Sequence, residues 1–246
     1  FLVTNQLNKA FAALDKAETL EASDPDIYTL RGTIFEGLEQ HAEALENYKK
    51  ALEMSENRDE ILLHIAYVYQ NMADYESAVT YLKACLESNM ENQEALYELA
   101  FCYDVLDKQE ECIEFYKQYI DTEPYSYAAW YNLGNAYNKL NLFEKAIDAY
   151  DYAILIKENF SSAYFNKGNS LVNLDRYSEA IDVYKQTFEY EPPNGDTYCA
   201  IGECYEKLEQ MDEARKYYKK AVKMDPEQAD AWFGIGVTLD FEERFF

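Results

Sequence analysis

Apolar positions along this chain recur at helical spacing, and the whole pattern repeats every 34 residues from residue 25 onward without insertion or deletion. Within each repeat, places four, eight and eleven lie on one face of a 3.6-residue helix. Places twenty, twenty-four and twenty-seven do the same for a second helix. Six complete repeats run 25–58, 59–92, 93–126, 127–160, 161–194 and 195–228, and a seventh starts at residue 229. The pattern therefore predicts two helices per repeat. A fixed period of this size belongs to stacked supersecondary units, because one unit alone cannot bury its apolar face.

The small residues carry the register. Place eight holds Gly32, Ala66, Ala100, Gly134, Gly168, Gly202 and Gly236, and place twenty holds Ala44, Ala78, Cys112, Ala146, Ala180 and Ala214. Large residues fill place twenty-four: Tyr48, Leu82, Tyr116, Tyr150, Tyr184 and Tyr218. A large side chain of one helix can sit over a small one of its neighbour, which brings the two axes close. Pro124, Pro192 and Pro226 stand at place thirty-two, where a proline ends the second helix.

This pattern resembles the tetratricopeptide repeat, most completely in repeat four, with Trp130, Leu133, Gly134, Tyr137, Ala146, Tyr150 and Ala153. The resemblance implies an all-α, right-handed solenoid of stacked helix-turn-helix units that holds another protein. Cys112, Tyr119 and Thr187 depart from the pattern, so local repacking is expected around repeats three to five. The whole of 1–246 reads as one array. Residues 1–24 read as the end of a preceding repeat, with its second helix over 5–21, and 229–246 as the first helix of a truncated one. Register puts Phe1 at place eleven and Phe246 at place eighteen, between two helices, so both ends read as cut. Trp232, Phe233, Ile235, Leu239, Phe241, Phe245 and Phe246 do not resemble a polar terminal cap.

Charge narrows the partners. Forty-seven acidic against 22 basic side chains give a net charge of −25, which repels phosphate backbones and anionic membrane surfaces. Nucleic acid is not an expected partner, nor is membrane insertion, since no apolar run approaches the roughly 18–20 residues of a span. Cys85, Cys102, Cys112, Cys199 and Cys204 form no CxxC pair. They read as small buried hydrophobes in a reducing, cytoplasmic setting, with only Cys199 expected to reach an open groove.

Catalytic chemistry is not expected. His41, read as lying in an interhelical turn, and His64, on a first helix, have no cysteine or serine partner at a defined spacing. No metalloprotease, nucleophile-elbow or phosphate-loop string occurs. Neither a metal nor a cofactor is expected.

The resemblance further implies that ligands meet first-helix places two, five, nine and twelve, with help from six and thirteen. These form a stripe beside the packing face. In repeats one to three the stripe is acidic (Asp26, Glu36, Glu60, Glu94, Glu98, Asp104) and carries Tyr67, Tyr97 and Phe101. Repeats four and five offer no acid: Tyr131, Asn132, Asn135, Asn138, Phe165, Asn166, Asn169 and Asn173. Acids return with Asp196, Glu203, Glu206, Asp230 and Asp240.

Amides both donate and accept, so a row of asparagines suits the backbone of an extended peptide. Alternatively, asparagine is merely frequent at these places. The carboxylate clamp of chaperone-binding relatives is not matched: its places fall on Tyr131, Asn135, Asn166, Asp196 and Ala200, without a cation. The expected function is a scaffold or adaptor that holds an extended peptide or helix with basic flanks. A substrate-recruiting or regulatory arm of a larger enzyme, and an array self-associating through apolar ends, are the alternatives.

Overall fold

The computed structural model describes the backbone of residues 2–20 and 24–245, and the side chains of 7, 9–20 and 24–241. The described residues form helices throughout, without a strand. After α1 (Leu2–Leu20) come α2 (Pro25–Gly37), α3 (His41–Met54), α4 (Asp59–Asn71), α5 (Tyr75–Ser88), α6 (Gln93–Val105) and α7 (Gln109–Thr122). The chain continues with α8 (Tyr127–Lys139), α9 (Phe143–Ile156), α10 (Ser161–Asn173), α11 (Tyr177–Gln186), α12 (Gly195–Lys207), α13 (Met211–Met224) and α14 (Ala229–Phe245). First helices from α2 to α12 each fill places one to thirteen. His41 opens α3 rather than lying in the turn before it.

Two compact units form, Phe1–Glu111 and Cys112–Phe246. In the first, Tyr28, Leu45, Tyr48, Ile61 and Ile65 build a core between α2, α3 and α4. In the second, Tyr164, Leu171, Ile181, Tyr184 and Ile201 do so between α10, α11 and α12. A separate cluster around Tyr218 ties α12 to α13 and α14.

Interlocking of large and small residues is direct. A Cβ added to Gly32 would lie 2.5 Å from Tyr48 Cε1, and one on Gly134 would lie 2.6 Å from Tyr150 Cε1. Gly168 against Tyr184 and Gly202 against Tyr218 repeat the arrangement. In repeat two, where place eight is Ala66, place twenty-four is the smaller Leu82, and both are fully buried.

The turn between the paired helices is equally periodic. Glu39, Ala73, Asp107, Asn141, Asp175 and Glu209, all at place fifteen, have φ between 54° and 58°. The left-handed residue lets backbone N–H groups fold back onto the last carbonyls of the first helix, as in Gln40 N–H to Phe35 O at 2.9 Å. Glycine usually takes that conformation. Here none does.

Two expectations change at the margins. Repeat five is the one departure that reaches the backbone: α11 stops at Gln186 and Thr187–Glu189 forms a 3₁₀ turn. Thr187 replaces a small residue, and its hydroxyl bonds back to Tyr184 O at 2.7 Å, which competes with the helical ladder. The second helices α7 and α9 keep fourteen residues each, despite Cys112 and Tyr119. At the other margin, α14 runs through the place where a turn was expected. Gly236 meets nothing within 4 Å, because no second helix packs there, whereas Gly234 lies against Tyr218. Trp232, Phe233 and Leu239 are exposed and Ile235 is buried; the side chains of Phe245 and Phe246 lie outside the described residues.

Candidate functional site

The first-helix stripe of Cys112–Phe246 is built on the buried place-twenty-four tyrosines. The rings of Tyr150, Tyr184 and Tyr218 each pack on a glycine of the first helix, and their phenols pass through to the stripe. Tyr150 Oη donates to Asn135 Oδ1 at 2.8 Å, and Tyr184 Oη donates to Asn169 Oδ1 at 2.6 Å. Tyr218 Oη donates to Glu206 Oε2 at 2.7 Å. Burial holds all three phenols above their ordinary pKa, so they remain donors.

Neighbouring repeats are stitched by the same amides. Asn166 Nδ2 donates to both Asn135 Oδ1 and Tyr131 Oη at 3.0 Å. Ser170, fully buried, donates to Asn138 Oδ1 at 3.2 Å; within α10 itself, Asn173 Nδ2 donates to the backbone oxygen of Asn169 at 2.9 Å. Scaffold groups thus occupy the carbonyl oxygens of Asn135, Asn138 and Asn169, which turns their NH₂ groups outward. Asn166 and Asn173 spend their NH₂ groups on the scaffold and turn their oxygens outward. An extended backbone offers both kinds of complement. Aromatic surface lies alongside: Phe165 is tilted against Tyr184 at 5.5 Å, and Tyr131 against Phe160 at 4.9 Å.

Asn132 does not belong to this surface. It is 2% exposed and donates through Nδ2 to Tyr116 Oη at 3.2 Å, so it is a packing amide and not a ligand-facing one. Place six is covered in repeat four, whereas Asn166, at the same place in repeat five, is half-buried. Cys199 likewise fails to reach the groove. It is 4% exposed, 3.7 Å from Glu203 Oε1, and burial pushes its thiol up to about 12. All five cysteines are buried and none forms a disulfide.

At the acidic end of this unit, Glu203 has its carboxyl raised above the usual range, first by loss of water around it, then by Asp230 and Glu206. Gln228 Nε2 donates to Asp196 Oδ1 at 3.0 Å.

Phe1–Glu111 carries a more acidic stripe. Tyr48 Oη donates to Glu36 Oε2 at 2.7 Å, repeating the phenol arrangement at place twelve. His64 stacks on Tyr48 at 5.2 Å. Tyr67 Oη donates to Glu94 Oε1 at 2.5 Å, and Gln70 Nε2 to Glu98 Oε2 at 2.8 Å. Phe101 is half exposed and meets Tyr75 edge-on, and Tyr97 is half-buried.

Sequence reasoning missed Ser170 and the phenols as groove-building groups. A signal was present: place twenty-four is tyrosine rather than phenylalanine in five repeats, and a buried phenol needs a polar partner.

Among the described residues, no group of three or more His, Cys, Asp or Glu could hold a metal. No described helix is long and apolar enough to cross a membrane.

A stack of antiparallel helix pairs with a polar stripe on the first helices defines a helical-repeat binding protein. Tetratricopeptide repeat family models match residues 25–58, 59–92, 161–194 and 195–228, with others at 127–160 and 94–124. The chain belongs to the tetratricopeptide repeat family. Among solved structures it is similar to MamA, at 28% identity over 67% of this chain and 96% of that one, with a TM-score of 0.59.

The C-terminal part of a repeat protein from Cytophaga hutchinsonii superposes with a TM-score of 0.72 over 94% and 95% of the two chains, at 15% identity. YrrB, described as a repeat protein with an unusual peptide-binding site, shares the fold at 20% identity, over 90% and 96% of the chains, with a TM-score of 0.52. No curated protein sequence matches the chain. Tetratricopeptide repeats mark a protein–protein interaction scaffold, and that is the class of this protein.

Proposed function

We propose that the chain holds an extended segment of a partner protein along the first-helix stripe, with the amides of α8 and α10 as its centre. The carrying observation is the fixed orientation of these amides by buried phenols. A groove whose donors and acceptors are already aimed loses little entropy when a backbone pairs with them. Merely frequent asparagines would not need that support.

The ligand we infer has an uncharged middle and Lys or Arg in a flank. In Cys112–Phe246 the amide zone passes into Asp196, Glu203, Glu206 and Asp230, which attract cations and speed encounter. The acidic stripe of Phe1–Glu111 favours the same sign, and the unbroken 34-residue period supports one array running through both units. Five buried cysteines without a disulfide suit a reducing compartment such as the cytoplasm.

A peptide-array screen tests this reading. Basic-flanked neutral sequences should be enriched, and capture should fall when Asn166 and Asn173 are changed to alanine. Preferential capture of acidic peptides, or of single-stranded nucleic acid, overturns it.

A further inference from the structure

Repeat five keeps the 34-residue spacing but shortens its second helix, and a cavity of about 310 Å³ lies where it does so. Thr187, Glu191, Pro192, Pro193 and Asn194, which carry the chain from the shortened α11 to α12, line it together with Tyr131, Phe165 and Asn166 of the stripe. The only charged side chains in its wall are Glu191 and Asp196; no lysine or arginine lines it. Ser161 lines it too, is 7% exposed, and its hydroxyl has no hydrogen-bond partner. A buried hydroxyl without a partner is uncommon, and here it stands beside two carboxylates and two aromatic rings.

We infer that this cavity takes an arginine side chain of the bound segment. The inference rests on the peptide-holding reading and gives it a register, since Tyr131 and Asn166 serve both the amide network and the cavity wall. A guanidinium stacks on aromatic faces and forks onto a carboxylate, while its stem lies on apolar surface such as Pro192 and Pro193. It also brings enough donors for the Ser161 hydroxyl oxygen and Asp196 together. Lysine offers a point charge without the planar fork. An acidic side chain would meet two carboxylates in a chain of net charge −25, and an apolar one would leave the buried Ser161 hydroxyl without a partner. The volume stands at the low end of ligand cavities, which suits one side chain rather than a free metabolite.

The test is a ¹H–¹⁵N NMR titration of the full chain with Nα-acetyl-arginine-N-methylamide, set against the isosteric, uncharged citrulline derivative. Arginine should shift the amide signals of Ser161, Thr187 and Thr197, and citrulline should bind about tenfold more weakly because the charge-assisted bonds are lost. Asp196→Asn should weaken arginine binding comparably with unchanged helical circular dichroism. Glu191→Gln, at an exposed position, should weaken it to a smaller extent. Equal binding of the two derivatives, shifts elsewhere, or full affinity in both variants overturns the inference. The probe needs no extended backbone, so its result is independent of the array screen. Localised arginine binding with a failed screen retires the groove and keeps the cavity, and the opposite outcome retires the cavity alone.

Discussion

The hydroxyl of Tyr150 reaches Asn135 Oδ1 at 2.8 Å from a ring that is itself fully buried against Gly134. One side chain therefore closes the helix pair and aims a groove amide. Tyr184 does the same for Asn169, while in repeats one and six the phenol reaches Glu36 and Glu206 instead. Packing and the orientation of the stripe are coupled through a repeated residue.

Removing only the phenol should separate the two roles. Tyr150→Phe keeps the ring on Gly134 but leaves Asn135 Oδ1 with the Asn166 amide in place of two donors. Chemical denaturation should show a loss of about 0.5–1.5 kcal/mol, the net worth of one hydrogen bond. Affinity for a groove-binding peptide should fall as well, because Asn135 is then held less firmly before the ligand arrives. Unchanged affinity would show that the phenol serves packing alone.

Two glycines of α14, two positions apart, should respond oppositely to alanine. A Cβ on Gly234 would run into the Tyr218 ring, so Gly234→Ala should destabilise by about 1–3 kcal/mol, as overpacking does. Gly236 has open space, and Gly236→Ala should stabilise by up to about 1 kcal/mol through helix propensity. Thermal melts of the two variants decide it, and equal signs would contradict the packing described.

The period, the helix pairs and the interlocking residues were legible because each rests on residue size at a fixed place. Gly168 and Tyr184 announce their contact by recurring in register. Asn132 was misjudged because a stripe position is defined only to within one residue's rotation, and sequence does not say whether a neighbour covers place six. The place-fifteen turn was illegible for another reason: Glu39, Ala73 and Glu209 are not turn formers, and tertiary closure of the helix pair overrides their preference. The cavity of repeat five was signalled only by Thr187 and the Pro192–Pro193 pair, which mark a departure but not its shape.

Ala73 is the least suited of the place-fifteen residues to φ 58°, having neither the local hydrogen bonding of Asn or Asp nor the freedom of glycine. Ala73→Gly should relieve left-handed strain of about 1–2 kcal/mol, against an unfolded-state entropy cost of about 0.5–1 kcal/mol. The net expectation is a gain of up to about 1 kcal/mol in urea denaturation. Asn141→Gly, at a residue that tolerates this conformation, should gain less. A loss of stability in Ala73→Gly would mean that its methyl group contributes packing that outweighs the strain.

Glu203 should trade stability for binding as a function of pH. Its carboxyl is raised in the folded chain, so the folded state holds that proton more tightly than the unfolded one. Deprotonation then opposes folding: the penalty is absent below the unfolded carboxylate value of about 4.3, grows as pH rises toward the folded pKa, and is complete above it. Glu203→Gln should consequently raise the melting temperature at pH 7 and leave it nearly unchanged at pH 4. The same substitution removes a negative charge beside Glu206 and Asp230, so association of a basic-flanked peptide should slow, most visibly at low salt. Melting curves at the two pH values and stopped-flow association at two salt concentrations check both halves. A variant that is less stable at pH 7, or one that captures basic peptides faster, would remove Glu203 from the attracting surface.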